Sequence, residues 1–187
     1  MTVLLSFEKI FMTMKNRIRF FILCLSLYIG NAIADEININ ITGQIYDAPC
    51  KINNDVSFDI DFGRVSIQDI DGKKYKQTKT VEIECTNYSG IPYITLVSSA
   101  GILGENILNT TGVNTSSLGI ALYQGDAVDL NYPLKINRDK EEIKKGLSQK
   151  NVHKSNFTFT AVPYKHGAGA LTAGKFSATV TMNIFYI

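Results

Sequence analysis

One segment has residues at a spacing known from phosphate chemistry. Gly169-Ala-Leu-Thr-Ala-Gly174-Lys175 reproduces the first seven positions of a P-loop, where backbone N–H groups cradle phosphates and the lysine reaches them. The eighth position needs a Ser or Thr hydroxyl to hold magnesium, and here it is Phe176. The motif should also open a helix, yet the residues after Lys175 alternate with the period of a strand. A glycine-rich turn before the last strand accounts for the segment, with Gly167, Gly169 and Gly174 serving tight turns and close backbone approach. Nucleophilic chemistry fares no better. There is no G-x-S-x-G elbow and no H-E-x-x-H, and the two histidines, His153 and His166, lie in separate polar stretches. Asp59, Asp61, Glu82 and Glu84 sit at strand alternation, which sends such carboxylates to solvent. The expectation is a chain that is not an enzyme, with no cofactor and no metal site.

Cysteine chemistry depends on compartment, and the N-terminus sets it. Lys15, Arg17 and Arg19 precede the apolar run Phe20-Phe-Ile-Leu-Cys-Leu-Ser-Leu-Tyr-Ile29, which ends at Ala32-Ile33-Ala34. A basic segment, an apolar run of about ten residues and an A-x-A site define a secretory signal peptide. The run is short of the roughly twenty apolar residues of a stable membrane span. Residues 1–34 are read as the signal peptide, with cleavage between Ala34 and Asp35. Met12 or Met14 is a more natural start than Met1, because either puts the basic residues at the terminus. Leu23 before Cys24 is too bulky for a lipoprotein site. Cleavage leaves 153 residues, one ordinary domain.

Of the three cysteines, Cys50 and Cys85 survive cleavage, and in an oxidising compartment they are expected to pair. Two cysteines with two distant histidines do not make a zinc site. The whole chain carries 19 basic and 17 acidic residues. The signal peptide removes Lys9, Lys15, Arg17, Arg19 and Glu8, leaving 15 against 16 and a net charge of −1. A nucleic-acid partner is therefore not expected, since no basic stripe with interleaved aromatics remains. The cluster Lys73, Lys74, Lys76 and Lys79 reads as a solvated loop.

Almost everything after Ala34 has the pattern of short strands separated by Gly, Asn, Asp and Pro, the pattern of an all-β sandwich. The expected strands are Ile37–Tyr46, Val56–Phe62, Lys79–Cys85, Tyr93–Ser98, Leu118–Tyr123, Leu134–Ile136, Asn156–Pro163 and Lys175–Ile187. Asp71-Gly72 and Gly125-Asp126 read as turns. Arg138–Lys150, rich in Lys and Glu, reads as a solvated connection. No internal repeat or linker divides the mature chain.

The two terminal strands differ from the rest. Phe176, Ala178, Val180, Met182, Ile184 and Tyr186 fall on every second position, and so share one face of a strand. The chain stops where this strand stops, and its apolar face asks what covers it. At the other end, Ile37, Ile39, Ile41 and Ile45 share one face with Gly43 in register, against Glu36, Asn38, Asn40, Thr42 and Gln44. A one-residue slip would bury every polar side chain, so this register is specified against a hydrophobic groove. An ordinary first strand of the same sandwich has the same pattern, and alternation alone does not separate the two.

Taken together, these residues resemble bacterial pilus subunits of the chaperone–usher pathway, close to the minor or adaptor subunits of type 1 fimbriae. The resemblance spans essentially the whole mature chain. It rests on Ala34-Asp-Glu-Ile-Asn-Ile-Asn-Ile-Thr-Gly43-Gln-Ile45 followed by Cys50, on Cys85, and on Leu118-Gly-Ile-Ala-Leu-Tyr123. Its most specific part is Phe157-Thr-Phe-Thr-Ala161 with Tyr164, then Gly174 fourteen positions from the end, then the penultimate aromatic Tyr186.

The resemblance implies an incomplete immunoglobulin-like β-sandwich, the pilin fold. Such a sandwich lacks its last strand and is completed by a donor strand from a chaperone or from the next subunit. Residues 35–48 would be the N-terminal donor-strand extension and residues 49–187 the pilin domain. Ile37, Ile39, Ile41, Gly43 and Ile45 would be the donor residues. Gly174, Phe176, Ala178, Val180, Met182, Ile184, Tyr186 and Ile187 would border the acceptor groove and meet the chaperone. The implied partners are a periplasmic chaperone, an outer-membrane usher and neighbouring pilus subunits, and the implied destination is a fimbria at the cell surface. The Asp-Glu-led extension and the Ile-Asn-Ile-Asn-Ile run favour a minor or adaptor subunit supporting adhesion. A major rod subunit and a single-domain secreted adhesin binding a host receptor or glycan remain the alternatives.

Overall fold

The computed structural model describes Asn40, Thr42 and residues 49–187. The chain divides into two units, Met1–Gln44 and Ile45–Ile187. Of the first, only Asn40 and Thr42 are described, both exposed and outside regular structure. The expected strand Ile37–Tyr46, the cleavage pair Ala34 and Asp35, and the donor residues Ile37, Ile39, Ile41, Gly43 and Ile45 lie outside the described residues.

The second unit is built from strands, with no α-helix among the described residues. In chain order these are β1 (Lys51–Ile52), β2 (Gln77–Glu84), β3 (Pro92–Val97), β4 (Ile102–Gly104), β5 (Ile107–Asn109), β6 (Thr111–Gly112), β7 (Leu118–Gln124), β8 (Glu141–Glu142), β9 (Lys154–Lys165), β10 (Phe176–Ser177) and β11 (Thr181–Tyr186). One sheet has the order β1-β2-β9-β7-β5-β4 and a second the order β11-β3-β8, while β10 pairs with β6 alone. All pairings are antiparallel.

The core lies between the two larger sheets because each turns the apolar half of its alternation inward. Val81 and Ile83 of β2, Phe157, Phe159 and Ala161 of β9, and Ile120 and Leu122 of β7 form one cluster with Ile94 and Leu96 of β3 and Ile184 and Tyr186 of β11. Phe157 and Phe159 stack with centroids 6.1 Å apart. β7 is buried along its whole length, since Ala121 and Tyr123 on its other face pack with Val162, Val128 and Tyr164.

Cys50, just before β1, and Cys85, just after β2, form a disulfide with their Cα atoms 4.2 Å apart. Both are buried, at 6% and 1% exposure. Closing a loop of 35 residues stabilises the fold by about 3–4 kcal/mol on the chain-entropy account. The double replacement Cys50→Ser, Cys85→Ser is expected to lower the unfolding free energy by about that amount in a urea titration. A loss below about 1 kcal/mol would show that the crosslink does not constrain the unfolded chain.

Several expected elements differ in the structure. Val56–Phe62 alternates like a strand, with Phe58, Ile60 and Phe62 half-buried between exposed Ser57, Asp59 and Asp61, yet it has no sheet partner among the described residues. Alternation reports two faces of a chain and not whether a neighbour is paired to it. Leu134–Ile136 is likewise no strand. Its Leu134 and Ile136 are fully buried, because a loop tied by Leu134 N–H to the Leu122 carbonyl (3.0 Å) and Ile136 N–H to the Glu105 carbonyl (2.8 Å) drops both side chains into the core. Arg138–Lys150 is a connection that contains the short β8 and plants Ile143 in the core, so it is more than a solvated link. Lys175–Ile187 is split: β10 pairs with β6 and β11 with β3, with Ala178–Val180 between them. The Asp71-Gly72 turn is present, closed by the Asp71 carboxylate accepting from Lys73 and Lys74 N–H at 2.8 and 2.7 Å.

Candidate functional site

β11 runs antiparallel to β3 in a register from Thr181 opposite Val97 to Tyr186 opposite Pro92. Just beyond it, Ile187 and Ile91 exchange both backbone bonds, at 2.8 and 3.1 Å. Hydrogen-bonded and non-bonded pairs alternate along an antiparallel ladder. Phe185, Asn183 and Thr181 therefore turn their N–H and C=O toward β3, and Tyr186, Ile184 and Met182 turn theirs to the other edge. Pro92 opposite Tyr186 costs the ladder nothing, because that position donates no bond to β11. On the outer edge the described residues supply one bond, from Cys50 N–H to the Ile184 carbonyl at 2.7 Å. No strand among the described residues pairs with this edge.

Side chains beside that edge are unusually apolar for an open one. Phe176, Ala178, Val180 and Met182 are half-buried and pack on the core, while Ile184 and Tyr186 are enclosed at 0% and 1% exposure. Across from them, Phe58, Ile60 and Phe62 pack on the same core from the unpaired segment Val56–Phe62. The Phe62 and Phe176 rings stand 6.4 Å apart, and Phe58 meets Phe159 at 6.2 Å. Two rows of half-buried apolar side chains thus border one seam in the sandwich. At the Phe176 end lies a slot of about 100 Å³ lined by Val65, Ile67, Ile70, Leu118, Leu171 and Phe176.

Close backbone approach fixes both ends of this terminal segment. A Cβ on Gly174 would come within 2.7 Å of the Val113 methyl carbons, and Val113 N–H donates to the Lys175 carbonyl at 3.2 Å. At the other end Gly90 has φ +113°, and a Cβ there would collide with the Ile187 carbonyl. Burial pushes the Tyr186 phenol above its ordinary value. Ile187 itself is half exposed, at 53%.

The remaining chemical candidates are absorbed locally. In Gly169–Lys175 the amide and hydroxyl of Thr172 donate to the Asn114 carboxamide oxygen at 2.9 and 3.1 Å, and a strand follows rather than a helix. His153 holds the end of β2: its Nδ1 lies 2.8 Å from the Cys85 carbonyl and its Nε2 3.1 Å from the Glu84 carboxylate. Lys154, and then His153, hold the Glu84 carboxyl below its usual value. His166 is exposed on a separate loop. In the lysine cluster, Lys74 pairs with Asp69 at 2.6 Å, Lys76 reaches the Asp126 carbonyl at 3.3 Å, and Lys79 lies over the Phe58 ring.

Sequence reasoning named one side of the seam and missed the other. Phe58, Ile60 and Phe62 carry a visible signal, their alternation, which predicts an ordinary strand. The slot residues Val65, Ile67 and Leu171 carry none, because two separate loops bring them together.

Comparison with known proteins adds a family. The fimbrial protein family matches residues 39–186. The minor fimbrial protein PrsF of Escherichia coli is 32% identical over 155 residues, covering 83% of this chain and 90% of the relative. The fimbrial adapter PapF of Escherichia coli is 33% identical over the same length and coverage. Among solved structures, the P pilus adaptor subunit PapF superposes with a TM-score of 0.50 at 30% identity, covering 77% of this chain and all of that one. The P pilus rod subunit PapA has the same fold, with a TM-score of 0.56 at 20% identity over 75% of this chain and all of that one.

Proposed function

The chain belongs to the fimbrial protein family, and from that membership we propose that it is an adaptor-type structural subunit of a chaperone–usher pilus, joined to its neighbours by strand donation in both directions. The observation that carries the reading is the outer edge of β11. Met182 and Ile184 turn backbone groups away from β3 beside two rows of half-buried apolar side chains. An added strand supplies main-chain bonds to that edge and places alternate side chains in the seam, which is β-augmentation.

In this reading residues 1–34 are removed on export, 35–48 are the donated strand and 49–187 form the accepting domain. A periplasmic chaperone fills the seam first and engages the C-terminal Ile187. At the outer-membrane usher, the extension of the next subunit replaces it. Ile37, Ile39, Ile41 and Ile45 of this chain enter the seam of the subunit before it, and Gly43 lies where facing side chains leave least room. Four buried isoleucines contribute about 6–12 kcal/mol before the ordering cost of the extension, so the joint needs no nucleotide. PrsF and PapF, a minor subunit and an adapter, support the adaptor class over the rod. The chain is exported and ends at the cell surface in the fimbria, where it supports adhesion as a structural part and not as an enzyme.

A synthetic peptide copying residues 35–46, standing in for the extension of the next subunit, tests the reading. At a hundred times its dissociation constant it adds about 2.7 kcal/mol to the stability of the accepting domain. The expected rise in melting temperature is about 5–10 °C. A scrambled peptide of the same composition producing the same rise, or no rise at all with either, would overturn it.

A further inference from the structure

Gln124, the last residue of β7, has a polar side chain and only 2% exposure. Its carboxamide oxygen accepts from the Lys144 and Lys145 N–H groups at 2.9 and 3.1 Å. Its nitrogen donates to the Glu142 carbonyl at 3.2 Å. A carboxamide offers two lone pairs and two N–H groups. Three of those four positions are filled, and the second N–H has no acceptor among the described residues. A buried donor left without a partner is costly. Gln124 lines a cleft of about 270 Å³, together with Asn131, Tyr132, Lys140, Glu141, Glu142 and Lys144.

Hydrogen bonds hold the walls of this cleft, so it is preformed. Gln124 N–H donates to the Tyr132 carbonyl at 2.9 Å, and Tyr123 bridges Pro133. The Asp129 carboxylate accepts from Asn131 N–H at 3.0 Å. Further along the chain, β8 pairs with β3, and the Glu141 carboxylate is fixed by Lys135 N–H at 2.8 Å. Small-molecule sites are preformed clefts with a few placed polar groups and volumes of about 300–1,000 Å³. At about 270 Å³ this one has room for a single ring-sized ligand. None of its residues belongs to β10, β11 or Val56–Phe62, and β8 is the edge of its sheet opposite β11. A strand seated beside β11 therefore leaves the cleft open.

Charge narrows the ligand. Lys140 and Lys144 in the lining are balanced by Glu141 and Glu142. An anion meets two carboxylates there and a cation two ammonium groups, and like-charge contacts cost affinity. Hydroxyl groups both donate and accept, so a neutral polyol can use the whole lining. Gln124 offers its spare N–H, and Asn131 a second carboxamide. Glu142 offers a carboxylate whose pairing with Lys144 is loose, at 4.0 Å. Half-buried Tyr132 adds an aromatic body with a polar tip. We propose that this cleft binds one ring of a neutral saccharide, so that the assembled subunit makes a carbohydrate contact of its own.

Titration of the exported chain with methyl glucoside, methyl galactoside and N-acetylglucosamine, read by NMR, tests the site. At least one of them is expected to shift the Gln124 side-chain amide saturably, with a dissociation constant of about 1 mM. Glucosamine, a cation, and glucuronate, an anion, are expected to bind at least about tenfold more weakly. Glu142 is partly exposed, so Glu142→Gln exchanges a carboxylate for an amide without emptying the core. It is expected to weaken binding about tenfold. Glu82→Gln, at an exposed carboxylate on β2, is the control and is expected to change binding by less than about twofold. The proposal is overturned by the absence of a saturable shift at Gln124 with every neutral sugar at about 10 mM. Tighter binding of either charged sugar, or equal affinities of the two variants, overturns it as well. None of those results bears on what fills the seam beside β11.

Discussion

Replacing Ile39 and Ile41 together by aspartate is expected to stop this chain from adding to the subunit before it, while its own capture by the chaperone continues. Each isoleucine contributes about 1.5–3 kcal/mol when buried, so losing two weakens the joint by about 3–6 kcal/mol. That alone is a factor of about 10² to 10⁴ in the equilibrium. The carboxylates add to the loss, because a buried unpaired charge costs several kcal/mol more. Glu36, Asn38, Asn40 and Thr42 on the opposite face are the control. Exchanging Asn38 and Asn40 for Ser leaves the apolar face intact and is expected to change assembly by less than about threefold. Both capture and assembly can be read from the same periplasmic extract, as chaperone-bound subunit and as polymer that resists dissociation. Loss of both by the Asp variant would remove the division between donating and accepting ends.

The C-terminal end was legible in the sequence only in part. From Phe176 to Asn183 apolar and polar residues alternate, Phe185 breaks the pattern, and the face from Phe176 to Tyr186 is the more buried one. The change of partner from β6 to β3 at Ala178–Val180 was not legible, because periodicity reports which way a side chain points and says nothing of which strand lies alongside. The same limit explains Val56–Phe62, whose alternation is real although its backbone is unpaired among the described residues. β4, β5 and β6 are two or three residues long, too short to show a period at all. Leu134 and Ile136 show the reverse case, where residues of a loop are buried as deeply as any in a strand.

Gly174 and His153 have structural roles. The P-loop spacing at Gly169–Lys175 matched by residue type, but Phe176 and the following strand gave it away. The structure supplies the physical reason for the second glycine: the backbone at Gly174, just before β10, passes against the Val113 side chain with no room for a Cβ. His153 likewise serves the end of β2, bridging the Cys85 carbonyl and the Glu84 carboxylate. Gly174 thus serves the approach to β10, and His153 the end of β2 beside the disulfide.

Amide hydrogen exchange along β11, read by NMR, tests the central claim most directly, because the register divides its amides into two sets. Asn183 and Phe185 point to β3 and are expected to exchange slowly with or without a donated strand. Met182 and Ile184 point to the outer edge, and their protection depends on what is seated there. With the peptide of residues 35–46 at a thousand times its dissociation constant, exchange at Met182 and Ile184 is expected to slow by about three orders of magnitude, while Asn183 and Phe185 change little. Uniform slowing of all four amides, or no change at Met182 and Ile184 with the peptide bound, would contradict the account.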